Sequence, residues 1–372
     1  MLPGLIVATV RGWILEFRFF NYWGWIAGLS AAQRLLQQGA LVTILERGKI
    51  GQEASWAGGG ILSPLCPWNY PDEVTRLTTR GAGLFSAWAE ELHTVTGINP
   101  EYEQSGMLVL PPFDTQMAAH WCAAHNAYPV HQVHATDYNL HTYNNALYLP
   151  EVAQVRNPRL LRALRQHVES LGGHITEHCA VSDIVVENGR VQALTTSRGK
   201  FIAQNYVVTA GAWSKQVLGR HALRLDIKPM RGQMLLFKFD ISPLRHIVLQ
   251  EDLYLIPRRD GHLLVGSTVE DVGFNQRTTC EVRDMLWQRA QKILPSLSDM
   301  PLIQHWAGLR PASPHNIPII GRHPHLDNLY LNSGHFRYGV TMAPASAEIL
   351  INEITGAQQP FDTTPYQAGW SA

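Results

Sequence analysis

The sequence predicts an α/β protein of two interleaved domains. One is assembled from separated stretches of chain around buried strands, and the other is an α+β domain with a mainly antiparallel sheet. Three observations carry this expectation. A helix pattern followed by a short apolar strand stands near the start, a second helix followed by strands stands near the middle, and a strand-rich tract lies between that middle region and a later helix. The 372 residues suffice for two domains, and an apolar fraction of 45% is that of a folded globular chain.

Residues 29–38 are helix-favouring, with Leu29, Ala32, Leu35 and Leu36 on one face and Gly39 where a helix C-terminal glycine belongs. The next run, Leu41-Val42-Thr43-Ile44-Leu45, is β-branched and apolar and ends in Glu46, as in a strand buried within a parallel sheet. A βαβ unit follows if a strand precedes. Residues 157–171 read as the second helix, broken at Gly172-Gly173 and followed by strands around Ile175, Ile184 and Val191. Between the last two, Glu187-Asn188-Gly189-Arg190 is a hairpin turn, because Asn-Gly supplies positive φ. Residues 205–212 form a buried strand that runs into a glycine turn at Gly211, residues 227–239 and 247–269 are rich in strands, and residues 281–294 are helical. The expected division is 1–80, 151–215 and 305–372 for the first domain, with 81–150 and 216–304 for the second. No period of roughly 20 to 50 residues recurs, which excludes a solenoid.

Composition narrows the function classes. Net charge is zero and the charges are scattered, so nucleic acid and anionic lipid are poor partners and a small neutral or zwitterionic ligand fits better. Cys66, Cys122, Cys179 and Cys280 form no CxxC pair, which argues against a disulfide framework or zinc site and points to a reducing cytoplasm. The 17 histidines show no HExxH or paired ligand spacing, so no metal is expected. Arg11, Glu16 and Arg18 interrupt the apolar N-terminal run too often for a spanning helix, and no targeting segment or membrane span is expected.

A Rossmann-like dinucleotide fold needs a strand, a GxGxxG turn opening a helix, and an acidic residue about 20 positions on. Gly28 opens the helix, and Glu46, 18 positions on, ends the next strand where a carboxylate can accept ribose hydroxyls. The turn itself reads Trp23-Gly24-Trp25-Ile26-Ala27-Gly28, with indoles in place of the first two glycines. The first glycine makes the turn and the second admits the pyrophosphate, so Trp23 and Trp25 stand where phosphate should sit. Residues 5–10 are apolar but distant as the preceding strand, whereas residues 13–20 are nearer but carry Glu16 and Arg18. A divergent or corrupted N-terminus is one reading. A helix-start glycine with an unrelated strand-end charge is the other.

Five later segments are more specific. Residues 50–64 are a run of small residues that includes Ala54, Ser55, Gly59, Gly60 and Ile61, and whose backbone amides can approach a ring or a phosphate. The others are residues 207–214, the run Pro229-Met230-Arg231-Gly232-Gln233-Met234, the pair Trp306-Ala307-Gly308-Leu309-Arg310-Pro311 and Pro318-Ile319-Ile320-Gly321, and Gly334-His335-Phe336-Arg337-Tyr338-Gly339-Val340. In this order they resemble the flavoenzymes of the D-amino-acid oxidase family, glycine oxidases among them. The resemblance implies a Rossmann-like FAD-binding domain and non-covalent FAD, since no cysteine follows Cys280 to tether a flavin. It implies cofactor contacts at Ile26, Ala27 and Gly28, at Glu46 and Arg47, along the small-residue run, at Val181 and Gly211, and at His335, Phe336, Arg337, Tyr338, Gly339 and Val340.

The same resemblance implies substrate contacts at Arg310, Tyr254 and Arg337. A planar guanidinium at Arg310 meets a carboxylate through two parallel hydrogen bonds. No catalytic acid or base is expected, because the flavin carries the hydride chemistry. The implied reaction oxidises glycine or a similar small amino acid with dioxygen to the imine, and then to glyoxylate, ammonia and hydrogen peroxide, for the thiazole branch of thiamine biosynthesis. A D-amino-acid dehydrogenase with a quinone acceptor and a degenerate homologue with poor FAD binding remain alternatives. A homo-oligomer is compatible with the resemblance.

Overall fold

The computed structural model describes residues 26–125, 127 and 130–367; residues 1–25, and with them Trp23, Trp25 and the expected first strand, lie outside the described residues. The chain runs α1 (Ile26–Gln37), β1 (Thr43–Leu45), α2 (Ala54–Ala57), α3 (Asp72–Thr96), β2 (Met107–Leu110), α4 (Thr115–Ala124), β3 (His131–His134) and β4 (Asn145–Leu149). It continues with α5 (Asn157–Ser170), β5 (His174–Thr176), β6 (Val181–Glu187), β7 (Arg190–Thr196), β8 (Gly199–Phe201), β9 (Tyr206–Val208) and α6 (Ser214–Leu218). The remainder is β10 (Lys228–Lys238), β11 (Ile247–Gln250), β12 (Leu253–Pro257), β13 (His262–Gly266), α7 (Cys280–Ile293), β14 (Gln304–Ala312), β15 (Ile319–Arg322), β16 (Leu329–Ser333), α8 (Gly339–Thr355) and α9 (Thr364–Gln367).

The helix expected after Gly28 is α1, and Leu29 and Leu35 are 0% exposed. Truncating either to alanine should cost about 2–5 kcal/mol. Gly39 ends the helix at φ +84°, a region open to glycine without steric cost. β1 pairs in parallel with β5, so the α1–β1 and α5–β5 units lie side by side. β9 pairs in parallel with β16, and β15 closes that sheet antiparallel. Asn188 and Gly189 both take positive φ in the hairpin between β6 and β7, as the Asn-Gly pair requires.

The large sheet has eight strands in the order β14-β10-β13-β12-β11-β2-β4-β3. All its neighbours are antiparallel except β11 with β2, so the expected antiparallel domain is present. Two features depart from the expected residue ranges. β14 pairs along β10 from Gln304 to Ala312 and is therefore an edge strand of the large sheet, although it lies in the range expected for the first domain. The boundary expected between residues 80 and 81 falls inside α3, which runs unbroken against α8 and α5. Gly81 lets α3 and α8 approach, since a Cβ there would stand 2.0 Å from the Thr341 carbonyl oxygen.

Candidate active site

The site forms between the β9–β16 sheet with its following turns and the large sheet. β9 and β16 run parallel, and their carboxyl ends lead into Gly211 and into the Gly334-His335 turn that opens α8. Ligands of parallel α/β sheets bind beyond such strand ends. From the large sheet, β14 brings Arg310 to the same place. A β-bridge between Ala312 and His335, with Phe336 N–H donating to the Pro311 carbonyl at 2.9 Å, joins the segment carrying Arg310 to the turn carrying Arg337.

The small-residue run lies between these elements and is tied down from several sides. Asn157 Nδ2 donates to the Ser55 and Gly58 carbonyls at 2.7 and 3.0 Å, and Trp306 Nε1 donates to Ala57 O at 3.0 Å. Arg258 Nη2 donates to Gly59 O at 2.7 Å, while the Ile26 N–H at the start of α1 donates to Ser55 Oγ at 3.1 Å. Gly60 sits at φ +76°, and a Cβ there would come within 2.1 Å of the Val155 carbonyl oxygen. Only glycine fits both constraints.

A cavity is lined by Ile26, Ala27, Ala54, Ser55, Gly59, Gly60, Ile61, Tyr254, Arg310 and all of residues 335–340. Fifteen of the expected site residues, from five separate sequence segments, therefore line one cavity. Gly28, Glu46, Arg47, Val181 and Gly211 do not line it. Gly28 is buried within α1. The other four gather at the ends of β1 and β9. Glu46 is fully buried, its Oε1 accepts from Gly48 N–H at 2.7 Å, and its carbonyl accepts from Cys179 N–H at 2.8 Å, two residues before Val181. Arg47 lies over the Trp213 ring at 4.9 Å, just beyond Gly211.

The cavity is electropositive. Arg310 donates from Nη1 to Thr268 O at 2.9 Å and from Nη2 to Ser267 Oγ at 2.6 Å, and makes no ion pair among the described residues. Burial pushes its guanidinium down, with Tyr254 opposing and Arg337 adding to that effect. Arg337 lies 5.6 Å from the Phe336 ring and likewise has no carboxylate partner among the described residues. The buried Tyr254 hydroxyl is 3.7 Å from Met234 Sδ. His335 is 4% exposed, and burial pushes its imidazole down to about 4, so it is neutral at ordinary pH and adds no third charge.

Sequence reasoning missed Ser267 and Thr268, which hold Arg310, and Gly58, Ser63, Leu65 and Pro311, which complete the lining. The signal for Ser267 and Thr268 was present in a strand that ends in Gly266, opposite the motif that carries Arg231 and Gly232. Arg258 and Asn157 act on backbone carbonyls of a distant loop, which no local pattern reveals. Among the described residues no helix is long and apolar enough to cross a membrane, and no group of three or more His, Cys, Asp or Glu could hold a metal ion.

The geometry fits FAD. The flavin would lie along the small-residue run at Gly59 and Gly60, beside a His335 Nε2 that is buried without a hydrogen-bond partner among the described residues. Comparison with known proteins agrees. Residues 26–353 match the family described as FAD dependent oxidoreductase. A glycine oxidase of Pseudomonas aeruginosa is 40% identical over 92% of this chain and 95% of its own length. The bifunctional protein ThiO/ThiG of Trichormus variabilis is 32% identical over 89% of this chain and 51% of its own. The crystal structure of glycine oxidase from Geobacillus kaustophilus superposes with a TM-score of 0.88 at 24% identity, covering 94% of this chain and 97% of that one, which establishes the common fold. This chain therefore belongs to the FAD dependent oxidoreductase family, and its cofactor is FAD.

Proposed function

We propose that the protein oxidises glycine or a similarly small amino acid, with dioxygen as the electron acceptor. The observation that carries this reading is the pair Arg310 and Arg337, two cations lining one cavity with no carboxylate of the described protein to neutralise them. An amino-acid carboxylate supplies the missing charge. Arg310 is the clamp, since the five N–H groups of a guanidinium exceed those that Thr268, Ser267 and Tyr254 occupy.

When bound, FAD supplies the acceptor for the hydride that leaves Cα. The chain's own residues bind and orient. Arg310 fixes the carboxylate end, Tyr254 contacts Arg310 and lines the same cavity, and the apolar side chains of Ile61 and Leu65 border it. The neutral His335 leaves the charge balance to the two arginines. Overall, glycine, dioxygen and water give glyoxylate, ammonia and hydrogen peroxide. The likeness to a protein named bifunctional ThiO/ThiG supports a role for the imine in the thiazole branch of thiamine biosynthesis.

The test is product formation by the FAD-loaded protein. Glycine should yield glyoxylate and hydrogen peroxide in equal amounts under air. Turnover with an artificial electron acceptor but no peroxide under air would replace the oxidase by a dehydrogenase.

A further inference from the structure

Behind the cavity wall, a second set of charged and polar groups surrounds the backbone that holds Arg310. Arg231 and Glu270 form an antiparallel bridge, each N–H donating to the other's carbonyl at 2.9 Å. The Glu270 carboxylate collects three side-chain donors: Arg231 Nη2 at 2.6 Å, Gln233 Nε2 at 3.0 Å and Thr268 Oγ1 at 2.5 Å. The Thr268 hydroxyl also accepts from the Gln233 backbone N–H at 3.0 Å. Its carbonyl is the acceptor for Arg310 Nη1, at 2.9 Å. The chain of contacts therefore runs from Glu270 through Thr268 to the guanidinium.

Two further features fit this arrangement. Arg310 lies across Gly232, the residue between Arg231 and Gln233, and a Cβ at that position would stand 2.0 Å from Arg310 Nη1. The side chains on either side of the empty slot point to Glu270, while the slot receives the arginine. Glu270 is also an anion near the cavity whose charge is taken up by Arg231, which is itself 4% exposed and bonded through Nη1 to Arg277 O at 2.7 Å. A carboxylate paired directly with Arg310 would compete with substrate, whereas this one orders its support and leaves its charge unmatched. Burial alone would raise the Glu270 carboxyl, but hydrogen bonds from Arg231, Thr268 and Gln233 outweigh it and hold the group below the usual glutamate value.

We infer that Glu270, acting through Thr268 and braced by Arg231 and Gln233, is the positioning residue that holds the Arg310 guanidinium ready for a substrate carboxylate, an inference that rests on the function proposed above for the cavity. Supporting groups of this kind set affinity because a binding group must be held close to its productive geometry before the ligand arrives.

The experiment uses FAD-loaded protein and three variants, Glu270→Gln, Thr268→Val and Thr268→Ser. Glycine KM and kcat are measured beside the Kd of acetate by calorimetry, which reads carboxylate binding without turnover. Glu270→Gln and Thr268→Val should each raise glycine KM and acetate Kd by about tenfold. Their kcat should stay within about twofold of the parent, and Thr268→Ser, which keeps the hydroxyl, should bind acetate like the parent. If Glu270→Gln fails to fold, the Thr268 pair decides the matter alone. Acetate binding by Thr268→Val equal to that of the parent overturns the inference while leaving the proposed function standing. A parent protein that neither binds acetate nor oxidises glycine overturns both.

Discussion

Arg258 and Arg310 approach the same cavity from the large sheet, and the contrast between them separates structure from function. Both guanidiniums are deprived of water, and neither forms an ion pair among the described residues. Burial pushes Arg258 down to about 10. Its Nη groups are taken by Gln154 Oε1, Val155 O and Gly59 O at 2.7–2.9 Å, so it cross-links the glycine loop to the sheet. Arg310 has only neutral partners, Thr268 O, Ser267 Oγ and the Tyr254 side chain, and it lines the cavity. A buried cation whose Nη groups are all held by oxygens of the protein is a brace. One with donors to spare at a cavity wall awaits an anion.

The strongest way to break this contrast is to remove Arg310. Arg310→Met should raise the glycine KM by about 1000-fold, as expected when a charged partner of a buried pair is lost, with FAD content and melting temperature near the parent's. Steady-state kinetics and the flavin-to-protein absorbance ratio read both halves of that expectation. A lowered FAD content with unchanged KM would make Arg310 the brace instead.

Arg258→Met should behave in the opposite way. Three carbonyl or amide oxygens lose their donor at once, and stability should fall by about 3 kcal/mol. Urea unfolding measures the loss, while the glycine KM of the FAD-replete fraction stays unchanged. A large KM effect there would erase the distinction between the two arginines.

Gly232→Ala sharpens the picture on a smaller scale. Its Cβ would occupy the space of Arg310 Nη1, so the guanidinium must shift and glycine KM should rise by about tenfold. An unchanged KM would show that Arg310 binds no substrate from its present position.

The smallest effect at neutral pH concerns His335. Its pKa is lowered to about 4 by burial, below an ordinary value near 6.5, so the unfolded chain binds more protons than the folded one between those values. Stability from this group is present above about 6.5 and is lost as pH falls toward about 4. Denaturation of the parent and of His335→Asn from neutral to acid pH should show a shallower loss in the variant. Equal slopes would place the acid sensitivity elsewhere.

Legibility in the sequence varied between these regions for physical reasons. The residues lining the cavity were readable where close backbone approach demands small residues, as in Gly59-Gly60, and where Arg310 and Arg337 follow glycine turns or strands with their own patterns. α3 was not anticipated. Its Gly81, Gly83 and many threonines weaken helix propensity, yet Gly81 is what lets it pack against α8. β14 was assigned to the wrong side because strand pairing with β10 joins residues far apart in sequence, and local alternation carries no record of a distant partner. Ser267, Thr268 and Glu270 were missed for a related reason, since they act on Arg310 only after the sheet has formed.

The most direct test is anaerobic addition of glycine to the purified, FAD-loaded protein while its absorption spectrum is followed. The expected result is a yellow protein whose flavin bands bleach with glycine in the parent, and at far higher glycine in Arg310→Met. A colourless protein that takes up no FAD on reconstitution, or a yellow one that stays oxidised with glycine and other small amino acids, would contradict it.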